Sequence, residues 1–473
     1  MFVLRRWFAA ILPAILVSGC VSYAPHPLVP DDELAALRSA ALDDLVIEHA
    51  TPGDGPLPDM MSFDLADGLN EAELVAVALT LNRELRARRL EIGEAEALLV
   101  GAGLLPNPEV GVAWRGGIGG ADGHSVDADL LMDLLQPWQR EAREAVAAAH
   151  IETVRAAIVS DEWRLVRETR LRLLAVRAAV QIADMLDEAV GIRSRMLDLA
   201  QRSRDAGEGT DLDVSAAELE LAEMQRDQRF ALAEAAAARR DLNAQLGLPP
   251  EYELHLTDAD ARVEVAVFSD PTNTELEQRV LAGRHELRAL EAAYEEAEQQ
   301  LRLAVLGQYP SLKLGLGFER ESEGDSFLGP AAGLEIPIFD RNQGEIAERL
   351  VARDRARANY VATLHQLRAE AYESRAHLRT ARAEIEAQQR DVLPRVRRNQ
   401  DLIERAFRAG ELRVLDWVAA QQRALRARRT FLETLLRYQR GVIEVEAATG
   451  MPLSQPVLLP SDQQAEVKGT RDE

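Results

Sequence analysis

The chain has 473 residues, 28% of them charged, with 55 Lys and Arg against 79 Asp and Glu for a formal charge of −24. That length exceeds one domain of ~150 residues, and the acidic balance excludes a nucleic-acid partner, which needs a basic face. A single cysteine, Cys20, excludes internal disulfides and cysteine metal clusters.

Cys20 closes an N-terminal pattern. Arg5 and Arg6 precede an apolar run from Trp7 to Val17, and Val17-Ser18-Gly19-Cys20 follows. The order resembles a bacterial lipoprotein signal (a lipobox), which implies a signal peptide over 1–19 and acylation of Cys20; an ordinary secretory signal cut nearby is the alternative. Val21 and Ser22 lack the aspartate that would hold a lipoprotein at the inner membrane. The run is short of the ~20 residues of a spanning helix. Residues 20–68, with Pro25, Pro27, Pro30, Pro52, Pro56 and Pro58, read as an extended leader with one short helix near Asp32–Leu45.

Asn70 and Glu73 fit a capping box that opens a helix running to Gly101, Gly103 and Pro106. The period then changes to two. Val110, Val112 and Trp114 alternate with Glu109, Gly111 and Ala113, and Val126 to Leu134 alternate against Asp127, Asp129 and Asp133. The spacing predicts a hairpin over 109–137 of membrane-crossing length. From Gln139 to Asp205 nothing but Gly191 interrupts a helical pattern with Leu165, Leu173, Val176, Val180, Met185, Ile192, Met196 and Leu199 on one stripe. A helix of ~100 Å packs side by side in a coiled-coil-like array. Ala206-Gly207-Glu208-Gly209-Thr210 is a turn, and a helix over 211–246 ends at Gly247-Leu248-Pro249-Pro250.

After a linker over 251–273 the order recurs. A helix starts near Thr274 with Glu277 as its box partner, a hairpin spans 311–338, a long helix spans 341–407 with Pro394 as its expected kink, and a last helix spans 413–449. Pro108 recurs at Pro310, an offset of 202, and Gly207, Asp213 and Gly247 recur at Gly410, Asp416 and Gly450, an offset of 203. The chain therefore reads as a tandem repeat, 69–250 and 274–452, with a polar tail over 453–473. In each repeat two helices of ~36 residues, end to end, match the long one and predict paired struts. Four strands cannot close a barrel, so strands in a membrane must be pooled by several chains; three chains give twelve. The soluble alternative is a β-sandwich lid on a helical bundle.

Asn82-Arg83-Glu84-Leu85, Gly103-Leu104-Leu105-Pro106-Asn107-Pro108 and Leu135-Gln136-Pro137 resemble the outer-membrane efflux protein family, the TolC-like channels. Tyr309-Pro310-Ser311-Leu312, Ile336-Pro337-Ile338-Phe339-Asp340 and the two Ala-Gly-Glu turns match as well, so that the resemblance spans about 69–452. It implies a mostly α fold with a small β part. The long helices would build an α-helical barrel, and four strands per chain a 12-stranded β-barrel in a homotrimer. It also implies an outer-membrane, lipid-anchored channel reaching into the periplasm, with a periplasmic adaptor (membrane fusion protein) and an inner-membrane efflux pump as partners. Leu104-Leu105-Pro106-Asn107-Pro108 and Leu135-Gln136-Pro137-Trp138 are similar to the heavy-metal-cation branch. No metal-ligand spacing accompanies them, no cofactor is expected, and no Walker loop, dinucleotide fingerprint or nucleophile elbow points to an enzyme.

In such channels the helix–turn–helix tips form the periplasmic entrance, and Asp213 and Asp416 map onto tip aspartates. A trimer would make them rings of carboxylates that attract cations; the other reading is capping, with Thr210 and Asp213 as a box. Arg413 either latches a closed tip or is solvated; the family's latch arginine would fall at Leu412. Gly207 and Gly410 supply left-handed turns or adaptor contacts. Trp114, Trp138 and Phe339 sit where an aromatic belt lies, or simply pack. An exit duct of a protein-secretion system is the rival within the channel class. A lipid-anchored adaptor is the rival outside it, disfavoured by two equivalent hairpins.

Overall fold

A computed structural model describes residues 23–39, 42, 68–116, 124–133, 136–257, 266–267, 270–321, 324–408, 414–453 and 457–458. The signal segment and Cys20 lie outside them. The chain divides into two units, Met1–Leu45 and Val46–Glu473. In the first, helix α1 (Pro30–Arg38) places proline in its first turn with Asp31, Asp32 and Glu33, and Arg38 in its last, each complementing the helix dipole. It ends at Arg38, short of the Leu45 expected.

The second unit opens on α2 (Glu71–Leu81) and α3 (Arg83–Ala102). Asn70 accepts from the Glu73 amide and the Glu73 side chain accepts from the Asn70 amide, which completes the expected box. The single helix expected from Asn70 is broken at Asn82, whose ψ of 121° leaves the helical region. Strands β1 (Glu109–Gly116) and β2 (His124–Asp133) follow, then α4 (Gln136–Asp205). α4 begins three residues before the expected start and includes Pro137 in its first turn, where the missing N–H costs nothing. Its buried stripe runs Ala147, Ile151, Ile158, Glu162, Leu165, Thr169, Leu173, Val176, at steps of three, four and seven. Lower down Ala183, Ala189 and Ala200 carry it, while the expected Leu199 is 38% exposed. α5 (Asp211–Leu246) packs along α4.

In the second repeat come α6 (Asn273–Gly283), α7 (His285–Leu306), β4 (Ser311–Glu321), β5 (Ser326–Glu335), α8 (Gln343–Ala387), a π turn (Gln388–Val392), α9 (Leu393–Arg408) and α10 (Val414–Thr449). Four expectations change here. The cap is Thr272 with Glu275, not Thr274 with Glu277, because Glu277 instead accepts from Arg368 and Tyr372. β5 stops at Glu335 before Pro337, so Ile336 and Ile338, inside the hairpin expected over 311–338, lie beyond the strand. The irregularity near Pro394 is a five-residue π turn just before it; the widened turn sits where the proline ring and its missing donor strain an α-helix. The tail, expected only to be polar, contributes a strand: Val457–Leu458 pairs antiparallel with Ala266–Val267 of the linker, and these two short strands are β6 and β3.

The expected end-to-end struts are also modified. Gly247, at φ 78°, ends α5 directly against the Leu81–Asn82 junction, and Asn82 Nδ2 donates to Gln245 O at 2.9 Å. Only α3 continues from that point, while α2 packs against both α4 and α5. The second repeat has the same joint 202 to 203 residues on: Gly450, at φ 64°, abuts Gly283, and Arg284 Nη1 donates to Ala447 O at 2.6 Å. Arg284 is buried and occupies the place of Asn82.

Candidate functional site: the strands and the helical tip

The four long strands form one antiparallel sheet in the order β1-β2-β4-β5. The register lines up Val110, Leu130, Leu316 and Pro330 on one row, and Val112, Ala128, Phe318 and Leu328 on the next. Over these two rows the face is apolar from edge to edge, while the next row, Trp114, Val126, Arg320 and Ser326, is mixed; the face is uncovered, with Val110, Val112 and Trp114 71%, 72% and 70% exposed. Residues one step along carry the opposite face, with Glu109, Asp129 and Glu319, and with Lys313 Nζ donating to both Glu109 oxygens at 2.7 and 2.8 Å. Arg115 pairs with Asp127 at 2.8 Å on the same face. β1 and β5 are edges. Phe339 is 94% exposed just beyond β5; the side chain of Trp138 lies outside the description. Among the described residues no helix is long and apolar enough to cross a membrane.

The tip after α4 is built by two successive caps. Glu208 N donates to Ser203 O at 2.9 Å and Gly207 N to Arg204 O at 2.9 Å, the paired bonds that close a helix on a left-handed residue, here Gly207 at φ 77°. Thr210 then opens α5. Its amide and hydroxyl donate to the Asp213 carboxylate at 3.0 and 2.6 Å, and the Asp213 amide donates back to Thr210 Oγ1 at 3.2 Å. Asp213 thus makes the capping box in this chain. The Arg204 guanidinium is raised above its ordinary value, chiefly by its hydrogen bond to Asp205. Gly410 and Arg413 lie outside the described residues, and Asp416 is placed in the first turn of α10.

A polar layer above the tip was not found from sequence. Arg193, 2% exposed on α4, approaches Glu220 of α5 at 3.6 Å, and Gln422 of α10 donates to both Glu220 oxygens at 2.8 and 2.9 Å. Arg193 Nε has no hydrogen-bond partner. Burial pushes this guanidinium below its ordinary value, against the pull of Glu220. The available signal was that Arg193 falls on the stripe Ala189, Met196, Ala200. Near the helix joint, Arg170 bridges Glu71 at 2.6 Å and Glu446 at 2.7 Å, while Arg89 donates to the buried Glu162 at 2.6 Å and to Leu79 O at 2.8 Å. Among the described residues no group of three or more His, Cys, Asp and Glu side chains is arranged to hold a metal ion.

A family profile described as outer membrane efflux protein matches residues 276–451. The cobalt-zinc-cadmium resistance protein CzcC of Cupriavidus metallidurans is 22% identical over 378 residues, 80% of this chain and 88% of that protein. The crystal structure of CusC, described in terms of transmembrane channel formation, superposes with a TM-score of 0.66 at 19% identity, covering 84% of this chain and 97% of that one. The Campylobacter jejuni CmeC outer membrane channel superposes with a TM-score of 0.67 at 15% identity, covering 90% and 97%. The chain has the fold of outer-membrane channels, and its second repeat matches the outer membrane efflux protein family.

Proposed function

We propose that this chain is one subunit of a trimeric outer-membrane channel of a tripartite efflux system. Three copies pool their strands into a twelve-stranded barrel, anchored also by lipid on Cys20. Substrate passes passively from an inner-membrane pump and a periplasmic adaptor to the exterior. The observation that carries the reading is the sheet: four strands of 8 to 11 residues, apolar and uncovered on one face, polar on the other, with both edges free. Lipid accepts such a sheet only once its edges are closed by other copies. The likeness to CzcC favours an efflux channel over a secretion duct, and metal cations as the cargo.

The tips at Gly207 and Gly410 are the periplasmic mouth and the adaptor contact, and three copies of Asp213 and Asp416 ring it, with Arg413 beside them. Detergent-extracted protein should be a trimer with heat-resistant β structure and should conduct cations in planar bilayers. A monomer confined to the periplasm would overturn the proposal. Replacing Asp213 and Asp416 by alanine should weaken cation selectivity; unchanged reversal potentials would leave these residues only the capping role.

A further inference from the structure

The offset between the two repeats changes once. β2 maps onto β5 residue for residue at 202, as α2 does onto α6, whereas α5 maps onto α10 at 203. One residue has thus been added to the second repeat between Glu335 and Val414. The buried positions of the long helices narrow the place. Leu367, Leu378 and Gln388 stand 202 residues after Leu165, Val176 and Leu186 of α4, and all six are buried. An offset of 203 would instead match them to Arg164 and Ala175, which are exposed, and to Met185, which is half-buried. At its lower end α9 stops at Arg408, 203 after the last residue of α4, Asp205. The added residue therefore lies between Gln388 and Arg408, the interval that holds the π turn Gln388–Val392. A π turn closes its hydrogen bond one residue later than an α turn, so Gln388–Val392 covers in five residues what Leu186–Ala189 of the unbroken α4 covers in four.

The side chains beside the turn have changed with it. Ile182, Leu186 and Ala231 of the first repeat belong to one apolar cluster; Glu384, Gln388 and Thr434 stand in their places. Gln388 Nε2 donates to Thr434 Oγ1 at 2.9 Å, and Arg437 Nη2 donates to Glu384 Oε1 at 2.9 Å and to Thr434 Oγ1 at 3.1 Å. Thr434 is fully buried. A satisfied polar network fixes one geometry more sharply than apolar contact does, and this one holds Gln388, the first residue of the π turn. Below it, Pro394 has no N–H to give the carbonyl four residues before it, and the Arg395 guanidinium reaches back to donate to Asp391 O at 2.8 Å, inside the turn. The helix is clamped at Gln388 and weakest just beneath.

We infer that the π turn is a swivel carried by the second repeat alone. α9 turns about Gln389–Leu393 relative to α8, with Gln388, Thr434, Glu384 and Arg437 as the fixed bearing above it, while α4 moves as one rod from the strands to its tip. A twist at the second tip is absorbed at the π turn, and a twist at the first is passed to the sheet. The extra residue supplies the freedom, since a helix without it has the residue count of α4.

The test is amide hydrogen exchange on the full chain in detergent, together with distances between paired spin labels. Amides over 389–396 should exchange about tenfold faster than those over 187–193. Deleting Gln389, whose side chain is exposed, leaves four residues facing four; the difference should vanish and the unfolding midpoint should hold or rise. Thr434→Val removes the hydroxyl from the bearing and should spread fast exchange upward past Gln388. The labels sit at exposed equivalent positions, Glu386→Cys with Arg398→Cys across the π turn and Asp184→Cys with Arg195→Cys along α4, in labelled chains diluted with unlabelled ones. The first pair should give the broader distance distribution. Equal exchange in the two repeats, a difference that survives the deletion in a folded protein, or equally narrow distributions overturn the swivel; should the deletion prevent folding, the label pairs decide. Both readouts lie within one chain, so neither depends on the channel reading.

Discussion

Gly207→Ala and Gly247→Ala give the same change at two left-handed glycines in different surroundings. Their φ values are 77° and 78°, so each alanine carries the ~1–2 kcal/mol cost of that region. At Gly207 an added Cβ meets nothing within 4 Å, and the cost stops there. At Gly247 it would lie 2.4 Å from Leu81 O and 2.9 Å from Leu81 C. Those are backbone atoms that cannot swing aside. The joint must open, and the Asn82–Gln245 bond of 2.9 Å is strained or lost at about 0.5–1.5 kcal/mol, with loosened packing around it. Gly247→Ala should therefore cost about 1.5–3.5 kcal/mol before any loosened packing is added, and Gly207→Ala about 1–2 kcal/mol. Denaturant unfolding followed by far-ultraviolet circular dichroism compares them directly. Asparagine separates the two terms, since it tolerates the left-handed region but keeps a Cβ: Gly207→Asn should be near neutral and Gly247→Asn still damaging. Equal losses for the two alanine variants would refute the claim that α5 closes against the α2–α3 joint.

Other substitutions probe the remaining features. Glu162→Ala strands Arg89 without its carboxylate in the helix interface and should cost about 3–5 kcal/mol in the same unfolding assay; a loss under 1 kcal/mol would mean the pair behaves as if solvated. Arg193→Met removes an incompletely paired buried charge and should be neutral or raise the unfolding midpoint; a strongly lowered midpoint would show that Glu220 compensates it fully. Thr210→Ala deletes the cap of α5 and should cost about 1 kcal/mol, with the Asp213 carboxylate still present to report on selectivity separately. Val112→Lys puts a charge on the apolar sheet face, and about 2–4 kcal/mol is expected if that face meets lipid; normal assembly and heat resistance in this variant would argue for an aqueous face.

The features legible in the sequence are those made by neighbours along the chain. Gly207 and the Thr210–Asp213 box lie within seven residues and cap each other's helices, so composition alone reveals the turn. Strand alternation is similarly local, and its faces follow from period two. The break at Asn82 is different. Nothing in its own helix forbids continuation; Gln245 O and Gly247, far along the chain, hold the joint. Thr272 and Thr274 each stand three residues before a glutamate, and only the claim of Arg368 and Tyr372 on Glu277 selects the first. The Arg193, Glu220 and Gln422 layer joins three helices, so a residue that looks like one more arginine on a charged helix is buried.

The free edges of β1 and β5 also set an order of events. Each hairpin closes within ~30 residues and can form early. The β2–β4 pairing must wait until α4, α5, α6 and α7 have been made, because all four helices lie between them. Closing the two edges is slower in kind, since its partner is another molecule and its rate depends on how many chains are at hand. Until then each chain shows neighbouring strands a template for wrong pairing. The cell therefore has to manage a waiting time, and a change that merely lengthens it would lower channel number without altering any finished channel.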